Sequence, residues 1–230
     1  MNAGTYYGAP AVRLLEALTN QGVGRIALLA RHSVREFNRD VHDLVNPLTA
    51  EGREHCGHMG RALPKSLQVR GYASPPERCV ETATLVMRAH GEAGGQAGSV
   101  RPVESLGVFY ALDQIKMWKA LQLAGGLSQF VTRWVDDRVA PDAMIPADQA
   151  ARLIARSALS RLRSGADNDH LDLCVTHDMT ILLLKDRLLR EPAVENTVDF
   201  LEAVALFEAD GDVWMQSCQG EPVAITGLVT

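Results

Sequence analysis

Apolar and polar positions alternate in blocks along the chain and predict strands separated by helices. Residues 25–30 contain an unbroken apolar run, from Ile26 to Ala30, that predicts a buried strand. The patterns at residues 67–73, 100–104 and 171–176 predict three further strands. Strands that alternate with helices form mostly parallel sheets with helices on both faces. The pattern therefore predicts an α/β fold.

Capping signals mark the start of two helices in the first half of the chain. Thr49 is the predicted N-cap of a helix that runs to about Leu63. Ser74, followed by two prolines, is the predicted N-cap of a second helix, with Glu77 completing a capping box. This second helix is expected to end near His90, where a glycine-rich loop follows.

The second half of the chain is predicted to be mainly helical before it returns to the sheet. Residues 105–165 have a helical pattern that is broken by two glycines and by two prolines, and residues 179–189 predict a helix behind the fourth strand. Residues 203–208 and 213–217 flank an Asp-Gly pair, which predicts a hairpin that adds an antiparallel edge. We therefore expect one domain, residues 1–230, with a helical insertion at about 105–165.

Composition restricts the class of protein further. The 230 residues are 47% apolar and 22% charged, which is typical of a globular protein, and no apolar run approaches the roughly 18 residues that span a bilayer. The net charge of −5, without a basic block, argues against a nucleic-acid partner. The first residues lack a secretory-signal pattern, and the four cysteines lack C-x-x-C spacing. We expect reduced thiols, a cytoplasmic location and no membrane partner.

Charged and imidazole side chains follow the predicted parallel strands, at the edge where open α/β sheets bind ligands. They are Arg31, His32 and Arg35 after the first strand, Arg78 in the helix after the second, Glu104 after the third, and His177 and Asp178 after the fourth.

This set of residue types suits phosphate chemistry. Three guanidinium groups can bind the oxygens of a phosphoryl group through paired, charge-assisted hydrogen bonds. A neutral histidine can attack phosphorus, and a second histidine, charged by its surroundings, can stabilise the oxygens during transfer. An acid must then protonate the leaving oxygen and later activate water, and Asp178 and Glu104 are the candidates.

Four segments together resemble the histidine phosphatase superfamily. LARHSVR at residues 29–35 is similar to its R-H-G signature, and SPPERCVETA at 74–83 resembles its S-x-x-x-R-x-x-E-T-A segment. VTHD at 175–178 resembles the segment with the second histidine, and PLTAEG at 47–52 is similar to the P-L-T-x-x-G helix start. The four matches occur in family order and span most of the chain.

The resemblance implies a phosphoglycerate mutase-like fold, a three-layer sandwich with a central sheet between helical layers. It implies that His32 is the nucleophile and becomes phosphohistidine, and that Arg31, Arg35, Arg78 and His177 bind the phosphate. It implies no metal and no cofactor. The expected partners are a small phosphorylated substrate and the phosphate ion, and the oligomeric state is left open.

Some positions depart from the family pattern. Ser33 replaces the usual glycine after the histidine, which narrows the space around the nucleophile and can alter the backbone turn. Arg35 and the His177-Asp178 pair resemble the acid-phosphatase branch, where that aspartate is the proton donor. The length of 230 residues and Asn38 resemble the mutase-like branch, where the donor is a glutamate in the position of Glu104. We favour Asp178 over Glu104 as the acid. The short insertion suggests an open pocket and a small or accessible phosphate ester.

Other functions stay open at this stage. The sequence is also compatible with a mutase, which returns the phosphoryl group to another hydroxyl. A second alternative is a non-catalytic member of the fold that binds a phosphorylated ligand. His55 and His58, with His42 upstream, have a spacing that permits a metal site, although firm further ligands are missing and a polar helix face is the preferred interpretation. Lys116 and Lys119 can contact an anionic substrate or lie on a solvated helix.

Overall fold

A computed structural model of the chain describes residues 6–38, 40–41, 43–164 and 168–229. Over these residues, seven strands form one sheet in the order β3-β2-β4-β1-β5-β6-β7. The strands are β1 (Arg25–Arg31), β2 (Gln68–Ala73), β3 (Ala97–Pro102), β4 (His170–Thr176), β5 (Ala203–Ala209), β6 (Asp212–Ser217) and β7 (Val223–Ala224). Strands β1 to β4 are parallel, and β5, β6 and β7 pair antiparallel with their neighbours. The predicted α/β fold with a parallel centre and an antiparallel edge is confirmed.

Helices pack on both faces of this sheet. They are α1 (Ala9–Asn20), α2 (Ala50–Ala62), α3 (Glu77–Glu92), α4 (Gln114–Ala124), α5 (Leu127–Val135), α6 (Ala147–Arg163), α7 (Asp178–Leu189) and α8 (Thr226–Val229). Helices α1, α2 and α3 contribute to one buried apolar cluster, and α5, α6, α7 and α8 contribute to another. None of the helices in the described ranges is long and apolar enough to cross a membrane.

Strand β1 shows why its sequence is apolar at every inner position. Ala27 and Leu29 belong to one buried cluster, whereas Ile26, Leu28 and Ala30 belong to the other. A central strand that is covered on both faces needs apolar side chains at odd and even positions alike.

The predicted capping signals had different outcomes. Thr49 caps α2 as expected, since its hydroxyl accepts a hydrogen bond from the backbone N–H of Gly52 at 2.9 Å. The prediction for Ser74 was wrong, because α3 begins at Glu77 after Pro76 and has no side-chain cap. The backbone N–H of Ser74 donates to the carbonyl oxygen of Val175 at 2.8 Å, so Ser74 continues the hydrogen bonding between β2 and β4. Pro75, which would be the first helical residue, itself precedes a proline and is therefore biased away from helical geometry.

Strand β3 lies earlier in the chain than predicted. It spans Ala97–Pro102 instead of residues 100–104, and Glu104 begins a short 3-10 helix, Glu104–Leu106. Most of β3 is exposed because it is the edge strand, so its apolar pattern gives little information about its bounds.

The chain between β3 and β4 is mainly helical, as expected. Helices α4 and α5 are separated at Gly125 and Gly126, and α6 begins after Pro146. The predicted hairpin joins β5 and β6 through Asp210 and Gly211, which both have positive φ.

Candidate active site

The predicted site residues meet because β4 lies between β1 and β2. Arg31 pairs with Thr176 at the carboxyl ends of β1 and β4, and the backbone N–H of His32 donates to the Thr176 carbonyl at 3.0 Å. The next residue after Thr176 is His177, and its ring centroid lies 5.7 Å from that of His32. The two histidines are therefore adjacent at one edge of the sheet, although 145 residue positions separate them in the sequence.

The surroundings of His32 determine which ring nitrogen is available. The side chain is buried, and its Nδ1 lies 2.8 Å from the carbonyl oxygen of Ser33. A carbonyl can only accept a hydrogen bond, so Nδ1 carries the proton and Nε2 keeps its lone pair. Burial lowers the pKa of His32 well below its ordinary value, and the nearby His177, Arg78 and Arg31 lower it further. His32 is therefore a neutral imidazole whose Nε2 carries an available lone pair.

Ser33 fits the turn after His32 in place of a glycine. Its hydroxyl donates to the carbonyl oxygen of Gly52 at 2.8 Å, and its backbone N–H donates to the hydroxyl of Thr82 at 3.1 Å. Ser33 does not have a positive φ, so its backbone conformation is open to any residue. Helices α2 and α3 thus hold the segment that follows His32.

Arg31 is held between three partners. Its Nη1 donates to the carbonyl oxygen of Val198 at 2.5 Å, and its Nη2 lies 3.0 Å from Oδ2 of Asp178. The guanidinium group also lies 4.0 Å from the ring centroid of Phe200. The Phe200 ring is 6.1 Å from the His32 ring and forms one wall of the site. Phe200 was not among the predicted site residues, because it lies in a loop without a motif.

Arg35 and Arg78 share one acidic partner, Asp43, which sequence analysis also did not identify. Arg35 Nη2 lies 2.8 Å from Oδ1 of Asp43, and Arg78 Nη2 lies 3.4 Å from Oδ2. Arg78 Nη1 also donates to the backbone carbonyl oxygen of Asp43 at 2.9 Å. Arg35 Nη1 donates to the backbone carbonyl oxygen of the adjacent Glu36 at 3.1 Å.

Two buried donors at this site have no partner among the described residues. They are the Nε atoms of Arg31 and Arg78. Arginine is charged at any physiological pH, and buried N–H groups are ordinarily hydrogen-bonded. Unpaired guanidinium donors beside a neutral histidine are suited to an anionic ligand.

His177 is oriented by Ser74. Ser74 Oγ and His177 Nε2 lie 2.8 Å apart, and both side chains are buried. Burial, together with the charges of Arg78 and Arg35, lowers the pKa of His177 to about 4, although Asp178 and Asp43 act in the opposite direction. The expectation that surrounding anions would charge this histidine was therefore wrong for the free protein, because burial and arginines outweigh the nearby acids.

The two candidate acids occupy different positions. Asp178 is the first residue of α7, where Oδ1 accepts the N–H of Met179 at 2.8 Å while Oδ2 contacts Arg31. Glu104 is exposed, and no hydrogen bond or ion pair joins its carboxylate to the described histidines and arginines of the site. The structure thus brings Asp178, but not Glu104, into contact with the other predicted residues.

One thiol also lies near the site. Cys79 lies 4.0 Å from His177, but burial raises the pKa of its thiol to about 12, so it is a poor nucleophile.

The residues of the alternative metal site and of the alternative substrate contacts have other partners. In the described part of the chain, no group of three or more potential ligands is arranged around a metal position. His55 faces Glu51 and His58 faces Arg61, and His42 lies outside the described residues. Lys116 pairs with Asp142.

Comparison with known proteins identifies one family. The sequence profile of the histidine phosphatase superfamily (branch 1) matches residues 27–200, which is about three quarters of the chain. A search of curated proteins finds no match.

Several solved structures share the fold at low sequence identity. Phosphoglycerate mutase from Bacillus anthracis superposes with a TM-score of 0.55 at 17% identity, over 86% of this chain and 94% of its own. A phosphoserine phosphatase variant from Entamoeba histolytica in complex with phosphoserine gives 0.54 at 14% identity, over 84% and 98%. Mycobacterial glucosyl-3-phosphoglycerate phosphatase with VO3 gives 0.54 at 16% identity, over 84% and 97%.

Proposed function

The chain belongs to the histidine phosphatase superfamily, and on that basis we propose that it is a phosphomonoester hydrolase that works through a phosphohistidine on His32. The observation that carries the proposal is the hydrogen bond from His32 Nδ1 to the Ser33 carbonyl. This bond fixes the tautomer, so the lone pair of Nε2 is available among the guanidinium groups. A neutral imidazole held in this way needs no general base to become a nucleophile.

The first half of the proposed reaction transfers the phosphoryl group to the enzyme. Nε2 of His32 forms a bond to phosphorus while the bond from phosphorus to the ester oxygen breaks. The acid, for which we propose Asp178, gives its proton to the departing oxygen and releases an alcohol. Arg31, Arg35, Arg78 and His177 bind the phosphoryl oxygens, and a neutral His177 can do so by donating from Nδ1 when Nε2 accepts from Ser74.

The second half returns the enzyme to its starting state. Water attacks phosphorus, and the bond between nitrogen and phosphorus breaks with its electron pair returning to Nε2. The carboxylate that served as the acid takes the proton of the water, so inorganic phosphate is released and the acid is restored. The three guanidinium groups supply the positive charge for both steps, so the proposed chemistry needs neither a metal nor a cofactor.

The choice of Asp178 over Glu104 as the acid is supported by contact. Asp178 Oδ2 lies 3.0 Å from an arginine of the proposed phosphate site, whereas the Glu104 side chain is exposed. A phosphoryl group that engages Arg31 would also face Asp178. Glu104, at the start of the 3-10 helix after β3, is the alternative donor.

We propose a small phosphorylated substrate. The phosphatases that share this fold hold phosphoserine and VO3 in their own structures, which suits a site for a small phosphate ester. The proposal treats residues 1–230 as one domain with a helical insertion at about 105–165, because one sheet includes strands from both ends of the chain. A cytoplasmic location agrees with the four cysteines, which are all free thiols.

Steady-state hydrolysis of an aryl phosphate tests the function. We expect wild-type protein to release inorganic phosphate and His32→Ala to lose about a thousandfold or more of kcat/KM. His58→Ala is the matched control, since His58 is an exposed histidine on α2, and it should keep wild-type activity. Full activity of His32→Ala would contradict the proposal. Isomerisation of phosphoglycerate without phosphate release would identify a mutase, and binding of phosphate without turnover of a panel of esters would identify a non-catalytic protein.

A further inference from the structure

The acidic side chain of Asp43 lies across two arginines of the proposed phosphate site. Asp43 begins a short 3-10 helix, Asp43–Val45, in the segment between β1 and α2. Its two carboxylate oxygens contact different guanidinium groups, Arg35 at 2.8 Å and Arg78 at 3.4 Å. The carboxylate thus bridges the two arginines.

The bridging carboxylate has the same hydrogen-bonding chemistry as a phosphoryl group. Both present acceptor oxygens with negative charge, and both satisfy the planar donors of arginine. A phosphoryl group that binds the Nη2 atoms of Arg35 and Arg78 therefore needs donors that Asp43 already engages. The Asp43 carboxylate and a phosphoryl group therefore cannot both accept from the Nη2 atoms of these arginines in the same way, and one replaces the other.

Exposure indicates that Asp43 lies on the solvent side of the arginines. The side chains of Arg35 and Arg78 are 14% and 4% exposed, whereas that of Asp43 is 48% exposed. A ligand that approaches these guanidinium groups from solvent therefore meets Asp43.

The contacts also permit the carboxylate to leave without unfolding of the loop. Arg78 Nη1 holds the backbone carbonyl of Asp43 at 2.9 Å, independently of the side chain. Rotation about the Cα–Cβ bond of Asp43 moves the carboxylate away while this backbone contact keeps the segment in place. The Asp43 side chain borders solvent on the side away from the arginines, so a released carboxylate is readily hydrated.

We propose that Asp43 is a specificity-determining residue whose carboxylate competes with the substrate's phosphoryl group for Arg35 and Arg78. The inference rests on the proposed function, because it assumes that these arginines bind phosphate. Displacement favours a phosphomonoester dianion, which brings more negative charge to the two guanidinium groups than the carboxylate that it replaces. Ligands with a single carboxylate gain little from the exchange and are discriminated against.

Calorimetric titration with inorganic phosphate tests the competition without turnover. We expect Asp43→Asn, which keeps the size of the side chain, to lower the Kd for phosphate by about three- to tenfold, the range for losing two partly exposed ion pairs. Asp40→Asn is the matched control, because it removes the same charge from an exposed position three residues away. Its effect should be less than about twofold, since only a screened long-range charge changes.

Two further measurements separate competition from a structural role. With an aryl phosphate, Asp43→Asn should lower KM by a similar factor while kcat changes little. In Asp43→Ala, acetate can occupy the position of the missing carboxylate, so it should raise the apparent Kd for phosphate more than it does in wild-type protein. Melting temperatures verify that both variants are folded.

The outcomes distinguish this inference from the proposed function. Equal phosphate affinity of wild-type protein and Asp43→Asn would overturn the competition and leave the function intact. Weaker phosphate binding by a folded Asp43→Asn would overturn it as well, since Asp43 would then orient the arginines for the ligand. If neither protein binds phosphate, the competition and the phosphate site are both overturned.

Discussion

Two neighbouring histidines at the sheet edge are kept neutral by the same cause, burial beside arginines. His32 then has its tautomer fixed by the Ser33 carbonyl, and His177 is bonded to the Ser74 hydroxyl. One residue type can thus supply both the proposed nucleophile and the proposed hydrogen-bond donor, because the partner of each ring decides which nitrogen is left available. The positive charge of the site resides on the arginines instead.

The neutrality of His177 predicts acid sensitivity of the fold. Its folded pKa is about 4, against an ordinary value of 6.5. Between these pH values the unfolded chain binds a proton that the folded chain does not, so stability is lost as the pH falls from about 6.5 to 4. The full shift corresponds to roughly 3 kcal/mol.

Urea unfolding of wild-type protein and His177→Asn at a series of pH values measures this effect. Acidic groups are common to both proteins and cancel in the difference. From pH 6.5 to 4, we expect the wild-type free energy of unfolding to fall by about 3 kcal/mol more than that of the variant. Parallel curves would show that His177 titrates normally.

At the residue scale, sequence motifs predicted the side chains that we propose carry the chemistry, but not those that surround them. Arg31, His32 and His177 occur in recognisable segments at strand ends. Asp43 contacts Arg35 and Arg78, and Phe200 contacts Arg31, from connecting segments whose path depends on the tertiary fold. Neither residue lies in a sequence motif, so no local pattern distinguishes it.

At the element scale, α2 supports the segment after His32 through a close backbone contact at Gly52. A Cβ atom at Gly52 would lie 2.2 Å from the carbonyl oxygen of Val34, two residues after His32. Gly57 lies in the same helix, and a Cβ there would approach only the flexible end of Arg61, at 3.2 Å. The helix therefore requires glycine at one position and tolerates a larger residue at the other.

Alanine at these two glycines should have opposite effects. We expect Gly52→Ala to lower the free energy of unfolding by about 1–3 kcal/mol, since a backbone atom must move. Gly57→Ala should leave stability unchanged or raise it by up to about 1 kcal/mol, because alanine favours a helix. Equilibrium unfolding in urea compares them, and equal stability of the two variants would refute the proposed contact.

Elements with strong local signals were predicted to within a residue or two, whereas others depended on tertiary context. Strand β1 is apolar on both faces, and α2 has a capping threonine. Helix α1 was not predicted, although Pro10 and an apolar stripe mark it. Ser74 has the residue type of an N-cap, but its hydroxyl is hydrogen-bonded to His177, which follows the carboxyl end of β4. No local pattern in the sequence reveals this contact.

At the scale of the whole molecule, strand order concentrates charge that the composition hides. The chain has a net charge of −5, yet three arginines of the site lie near two neutral histidines. Sequence analysis predicted that strand ends share one edge, but the position of β4 between β1 and β2 follows from pairing along the whole sheet. That position is what brings His177 and Ser74 to His32.

Trapping of the covalent intermediate tests the central claim most directly. Wild-type protein and His32→Ala are mixed with a phosphate ester labelled at phosphorus, quenched in alkali within one turnover and digested, and the labelled peptide is sequenced by mass spectrometry. We predict a label on the peptide that contains His32, stable to alkali and labile to acid as expected of phosphohistidine, and no label on His32→Ala. Turnover of the ester without a label on His32, or equal labelling of both proteins, would contradict the account.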